Sequence, residues 1–158
     1  MFNNSVRYNG SMDKKDFINF KGDLGPGMYP HVRFPDFQTI PLCEKYDYPK
    51  EFTELKFHFP VENEEWEVFM VNGLKLLSSL GPDQFTISPI KWDRVNKLIS
   101  DGNLEYPEAT PQAGIGDGRH RTLALMKIYK TTSIPCVIEK EYSAQFRQSA
   151  LSSGLLME

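Results

Sequence analysis

The residues between Gly114 and Arg121, in the run GIGDGRHR, combine the side chains that handle phosphate. Gly116 and Gly118 permit a close backbone approach or a positive φ. If a helix starts at Arg119, its first N–H groups lack intrahelical acceptors and carry the positive end of the dipole, which suits an anion. Arg119 and Arg121 add charge and forked donors for phosphate oxygens. His120 can serve as donor, acid or base near neutral pH. Asp117 could hold a magnesium ion, orient His120 or accept a proton. The plainer reading of the same residues is an aspartate that caps a helix and arginines on a solvated first turn. The run contains no P-loop lysine pattern, and GIGDG is not the dinucleotide fingerprint.

The surrounding elements must hold this turn. Leu123, Leu125, Met126 and Tyr129 predict a helix from Arg119 to about Tyr129, and IPCVIE at 134–139 reads as a buried strand. Ser88-Pro89 is an N-cap and N1 pair, and Ile90, Val95, Leu98 and Ile99 carry a helix to about Ser100, ending at Gly102. Residues 104–109 read as an edge strand interrupted by Pro107, and residues 85–87 as a short strand. In residues 55–61, Phe57, Phe59 and Val61 alternate as in a half-buried strand with Pro60 at its end. Trp66, Phe69, Met70, Gly73, Leu74, Leu77 and Leu80 recur at helical spacing, predicting a helix over 64–80. The rival is a hairpin turning at Asn72-Gly73, because Trp66, Val68 and Met70 also alternate. Residues 143–151 read as a helix with Phe146, Ala150 and Leu151 facing inward. Strands alternate with helices across short connections, so the expected class is mixed α/β, a small sheet flanked by helices.

The chain has 158 residues and a net charge of -3, with 40% hydrophobic and 13% aromatic side chains. That composition supports a core and argues against a disordered chain. Gly22, Gly25, Pro26, Gly27 and Pro30 punctuate the start, so residues 1–30 are expected to be a flexible lead-in and 31–158 one domain. No apolar run approaches the ~20 residues of a membrane span, and Met1 to Gly10 lacks a signal-peptide layout. Cys43 and Cys136 form no CxxC, so a reduced, cytoplasmic setting is expected. Charge is uneven: residues 61–90 carry one basic and five acidic side chains, residues 91–130 seven basic and five acidic. The pI of about 5.7 opposes coating of nucleic acid by bulk charge.

The run DGRHRTLALMKIYKTTSIPCVI resembles the signature region of the ParB/sulfiredoxin-like superfamily, in which a strand, a G-x-x-R turn and a helix precede an "IP-V" strand. Here these are Gly118-Arg119-His120-Arg121 and Ile134-Pro135-Cys136-Val137, and the likeness covers roughly residues 85–140. The resemblance implies a nucleotide-phosphate site at the turn. Sulfiredoxins place a cysteine where this chain has Arg119, so their chemistry is not expected. Partition proteins carry G-E-R-R, bind CTP and continue into a helix-turn-helix domain, for which about 18 residues after Lys140 leave no room. Asp117-Gly118-Arg119-His120-Arg121 is most similar to the D-G-H-H-R branch, which includes ADP-dependent free-serine kinases and nuclease-like proteins; Arg119 departs from that pattern. By this resemblance Arg121 would clamp phosphate. Gly116, Gly118, Arg119 and Thr122 would line it, His120 would bind phosphate or shuttle a proton, and Asp117 would be the base or a metal ligand.

The expected activity is a nucleotide-binding phosphohydrolase using ATP or another nucleotide and Mg²⁺, an ATPase or a DNA nuclease. The alternatives are a regulatory or inhibitory module of plasmid or phage origin that blocks a host protein, and a small-molecule kinase acting on a free amino acid. Glu105 and Glu108 could add a second carboxylate for magnesium, and Lys91, Arg94 and Lys97 could guide DNA or a base; a solvated edge and face are the plainer readings. Trp66 and Trp92 could stack a base or simply pack. His31 and His58 are isolated, and no spacing resembles a zinc site.

Overall fold

The computed structural model describes residues 31–157. The lead-in expected at residues 1–30 lies outside the described residues. Assembly centres on a strand, here β8 (Ser133–Glu139), whose residues Ile134 to Ile138 are all buried. It lies between β3 (Trp66–Asn72), which pairs with it antiparallel along its whole length, and β6 (Glu108–Ala109), which runs parallel to it. β7 (Ile115–Asp117) completes the sheet in the order β3-β8-β6-β7. Two small pairs stand outside it: β1 (Val32–Arg33) antiparallel to β4 (Thr86–Ile87), and β2 (Lys56–His58) parallel to β5 (Asn103–Glu105).

The helices follow local signals. α1 (Gly73–Leu77) begins where the Asn72 side chain accepts from the Lys75 N–H at 3.1 Å. α2 (Pro89–Ser100) begins at Ser88, whose hydroxyl accepts from the Lys91 N–H, with proline at the first helical position. α3 (Arg119–Tyr129) buries Leu123, Ala124, Leu125 and Met126 in succession, because it is covered by α1 and α2 as well as by the sheet. A side chain at Gly73 would meet the Met126 sulfur at 2.7 Å, so glycine is what lets α1 start against α3. α4 (Ser143–Ser153) lays Phe146 and Ala150 on β3 and β8. One hydrophobic cluster joins all of these elements, with Trp92 among its largest fully buried members. The architecture is mixed α/β, as the alternation of elements predicts.

Four expectations need correction. The helix expected over 64–80 is a strand from Trp66 to Asn72 followed by a short helix from Gly73. Seven registered pairs with β8 outweigh a helical spacing whose apolar residues fit both periods. The rival hairpin reading has the alternation right, but at Asn72 the chain enters α1 rather than returning as a strand. Residues 104–109 form two strands in different sheets, parted at Tyr106-Pro107. Leu151 is 67% exposed, since Phe146 and Ala150 already fill the face of α4 that meets the sheet. In β2, Phe57 is half-buried, whereas Phe59 and Val61 lie beyond its end and are exposed.

Trp92 projects from α2 into the core and donates its indole N–H to Pro41 O at 2.9 Å. Trp92→Ala leaves a cavity and an unpaired carbonyl, and is expected to lower the unfolding free energy by about 3–5 kcal/mol in urea titrations. A loss below about 1 kcal/mol would show that this end of α2 is not part of the cooperative core.

Candidate functional site

The GDGRHR turn is shaped by a bulge and a left-handed glycine. Glu108 pairs with Asp117 and Ala109 with Ile115, so Gly116 is the extra residue on β7. Such a bulge bends the strand and re-aims the residues after it. Gly118 has φ +109°, and a side chain there would meet Pro107 Cα at 2.9 Å and the Arg121 guanidinium carbon at 3.2 Å. Only glycine fits both the dihedral and the space. The N–H groups of Arg119, His120 and Arg121 precede the first intrahelical bond, and no N-cap side chain accepts from them.

Arg121 pins this turn to the strand link in front of it. Its Nη1 donates to Glu105 O at 3.2 Å, Glu105 Oε2 at 3.0 Å and Tyr106 O at 2.8 Å. Its Nη2 lies 3.1 Å from Asp117 Oδ2. The side chain is 12% exposed, whereas the Asp117 carboxylate is 72% exposed. Arg121 is thus a clamp on the protein's own oxygens first, and one edge of its fork faces a readily displaced carboxylate. Burial, and then the Asp117 charge across the strand pair, raise the Glu108 carboxyl above its ordinary range.

Arg119 is half-buried and donates from Nη1 to Asp83 O at 3.3 Å. Its Nε is buried without a partner. Burial lowers its pKa, yet an arginine stays charged at neutral pH.

His120 is turned inward. It is 7% exposed, and its Nε2 accepts from the Ser88 N–H at 3.0 Å. That bond places the ring proton of the neutral form on Nδ1. Burial, then the charges of Arg119, Lys91, His31 and Arg121, push its pKa down to about 3. His120 is therefore neutral near pH 7, and the proton shuttle expected of it does not fit this position. Thr122 is fully buried, its hydroxyl has no partner, and its methyl packs on Gly73. Its N–H donates to Gly118 O at 2.9 Å, so Thr122 closes the first helical turn and its side chain does not line a phosphate.

These residues form one end of a groove of about 600 Å³. Gly116, Asp117, Gly118, Arg119, His120 and Arg121 line it together with Glu105, and α2 supplies the opposite wall. Lys91, Arg94 and Leu98 share one face of α2 at spacings of three and four, which puts both cations into the groove. Lys97 falls on another face, where it pairs with Asp101 at 3.0 Å. Leu80, Val95, Leu98 and Ile115 make the apolar part of the wall. The sequence offers Lys91 and Arg94 together with Lys97 as guides for DNA or a base, but shows neither that Lys97 faces elsewhere, nor the apolar part of the wall, nor the Ser88 partner of His120. The spacing of Lys91, Arg94 and Leu98 was the available signal for the wall; nothing local to Ser88 marks it.

The remaining candidates lie elsewhere. Trp92 is core, and the Trp66 indole donates to Val61 O at 2.8 Å. His58 is exposed beside Asn103. Burial raises the thiol of Cys43 to about 11 and that of Cys136 to about 12, so neither is a ready nucleophile. Among the described residues, no group of three or more His, Cys, Asp or Glu side chains gathers in a metal-holding arrangement. Among the same residues, no helix is long and apolar enough to cross a membrane. Comparison with family models, curated proteins and solved structures gives no match.

Gly118→Ala is expected to cost about 1–3 kcal/mol in stability through backbone strain and the clash with Pro107; a Tm unchanged within error would contradict the geometry described. His120 sets a pH dependence. Its folded pKa is depressed below the ordinary value of about 6.5, so the unfolded chain binds the proton more tightly. Stability is full above pH ~6.5 and falls as pH drops from there toward 3. Denaturant unfolding at several pH values should show that decline, and His120→Gln should remove much of it.

Proposed function

We propose that this chain binds a nucleotide polyphosphate in the groove at the GDGRHR turn and hydrolyses a phosphoanhydride or phosphodiester bond there. The observation that carries the reading is the convergence of Lys91, Arg94, Arg119 and Arg121 with an uncapped helix N-terminus on one groove. The apolar wall beside these cations suits the non-phosphate part of the same ligand. A ParB/sulfiredoxin-like fold is part of the proposal and rests on the sequence resemblance.

An incoming phosphate would take its charge-assisted hydrogen bonds from Arg119, the first-turn N–H groups and the Nη2 edge of Arg121. At Nη2 it competes with Asp117. The displaced Asp117 carboxylate then stands beside the bound phosphate, where it can accept a proton from an attacking water. His120, neutral and bonded to Ser88, holds the first turn rather than moving a proton. Alternatively, Asp117 would hold a Mg²⁺ carried in by the nucleotide in place of acting as the base, since magnesium is commonly held by one or two carboxylates plus substrate phosphates. When bound, Mg²⁺ supplies charge neutralisation at the phosphate oxygens. DNA is the macromolecular substrate most compatible with Lys91 and Arg94, and the net charge of -3 makes any such binding weak and salt-sensitive. The cytoplasm is the compartment that goes with such a substrate.

One observation favours a second reading, a non-catalytic nucleotide-binding module acting on a host protein. Both His120 and Arg121 are committed to internal hydrogen bonds, which suits binding better than proton transfer. A small-molecule kinase differs from both in passing phosphate to an organic hydroxyl.

The test is turnover of ATP, ADP, CTP and GTP with Mg²⁺, with and without DNA or free amino acids. We expect phosphate release that Asp117→Asn lowers at least about a hundredfold with binding retained. Arg94→Ala should weaken nucleotide binding about tenfold and leave the fold intact. Binding without release selects the module, phosphorylated amino acid selects the kinase, and no binding removes the proposal.

A further inference from the structure

A second surface, which shares no lining residue with the groove, has the composition of a protein-docking face. Phe59, Val61 and Val68 are 42%, 46% and 41% exposed. They belong to one continuous patch. The Phe59 ring is 5.3 Å from Tyr106, which stacks on Phe57 at 4.8 Å. Phe57 in turn meets Phe52 at 6.5 Å, and Phe52 meets Tyr129 at 6.4 Å. Phe52 and Tyr129 share a hollow with Met70, and the alternation of β3 places Met70 on the same face as Val68 and Trp66. Trp66 closes the circuit through its hydrogen bond to Val61 O. Within this circuit the Tyr129 hydroxyl is buried without a partner. Exposed apolar side chains grouped in this way mark a candidate interaction surface.

The charge beside the patch indicates what covers it. Glu62, Glu64 and Glu65, all exposed, form the loop between Val61 and Trp66. Among the described residues Lys140, 3.9 Å from Glu65, is the one cation paired with this loop. A second copy of the chain would bring two such loops to one interface, which like charge opposes. A basic, apolar segment satisfies both the rings and the carboxylates.

We propose that the face around Phe59, Val61 and Val68, with its acidic Glu62–Glu65 edge, docks a segment of a partner protein that presents apolar side chains beside lysine or arginine. The face and the groove share no lining residue, so a partner on one need not displace a ligand in the other. The proposal is independent of what the groove binds.

Three synthetic peptides probe it on the isotopically labelled full chain by NMR: one of leucine, tryptophan and lysine, one with glutamate replacing the lysines, and one of lysine and serine. The leucine–tryptophan–lysine peptide should shift the amides of residues 59–68 and 106, and the other two should not. Val61→Ser with Val68→Thr should weaken that binding at least about tenfold, with Tm and nucleotide binding unchanged. Glu62→Lys with Glu64→Lys should transfer the preference to the glutamate peptide. Equal binding of the lysine–serine peptide would reduce the face to simple charge attraction and overturn the proposal. So would shifts confined to the groove, or unresponsive amides at 59–68. A wild-type dimer in sedimentation that Val61→Ser with Val68→Thr dissolves would assign the face to a second copy instead.

Discussion

The Arg121 guanidinium stands between the Glu105 and Asp117 carboxylates and the Glu105 and Tyr106 carbonyls. Most of what is chemically interesting in this chain depends on that arrangement. It ties the link between β5 and β6 to the start of α3, and so holds the bulge at Gly116 and the left-handed turn at Gly118 against Pro107. A buried arginine with one partner missing leaves an uncompensated charge and is strongly destabilising. Here Nη1 is satisfied by two backbone carbonyls and the 44% exposed Glu105 carboxylate, and Nη2 by the Asp117 carboxylate, which is mostly in solvent. The carbonyls give the turn a fixed frame, and Asp117 is its most exposed contact.

The same frame explains why His120 does not take the role its sequence position invites. A histidine one residue after a turn arginine suggests acid–base work. In the fold, the first turn of α3 turns that ring inward at one end of the groove, where it accepts from the Ser88 N–H. Burial keeps the ring neutral. In the proposed site the anion contacts therefore fall to Lys91, Arg94, Arg119, Arg121 and the backbone N–H groups of the turn, and Asp117 is the proposed proton acceptor.

Much of this was legible in the sequence. Ser88-Pro89 and Gly102 bracketed α2, the run after Gly118 gave α3 through Tyr129, and IPCVIE gave β8, because caps and buried apolar runs are local signals. The turn itself stood out because its glycines and arginines fall so close together. What was not legible depended on pairing at long range. Residues 66–72 satisfy both a helical and a strand period, and only registration with β8 decides between them. Thr122 and His120 follow the turn in sequence, yet helix rotation buries both, Thr122 fully and His120 against the Ser88 N–H. Lys91 and Arg94 reach the groove and Lys97 does not, a distinction the helical wheel carries only once the orientation of α2 is known.

The central claim is that the turn and the facing side of α2 form one anion site. The most direct test is a titration of the labelled full chain with ATP and, separately, inorganic pyrophosphate, followed by amide and arginine side-chain NMR signals. The account predicts saturable shifts at residues 116–121 together with Arg94, larger with ATP along Val95 and Leu98, and none at residues 59–68. Shifts at the turn without α2, or no saturable shift at 116–121 with either ligand, would contradict it.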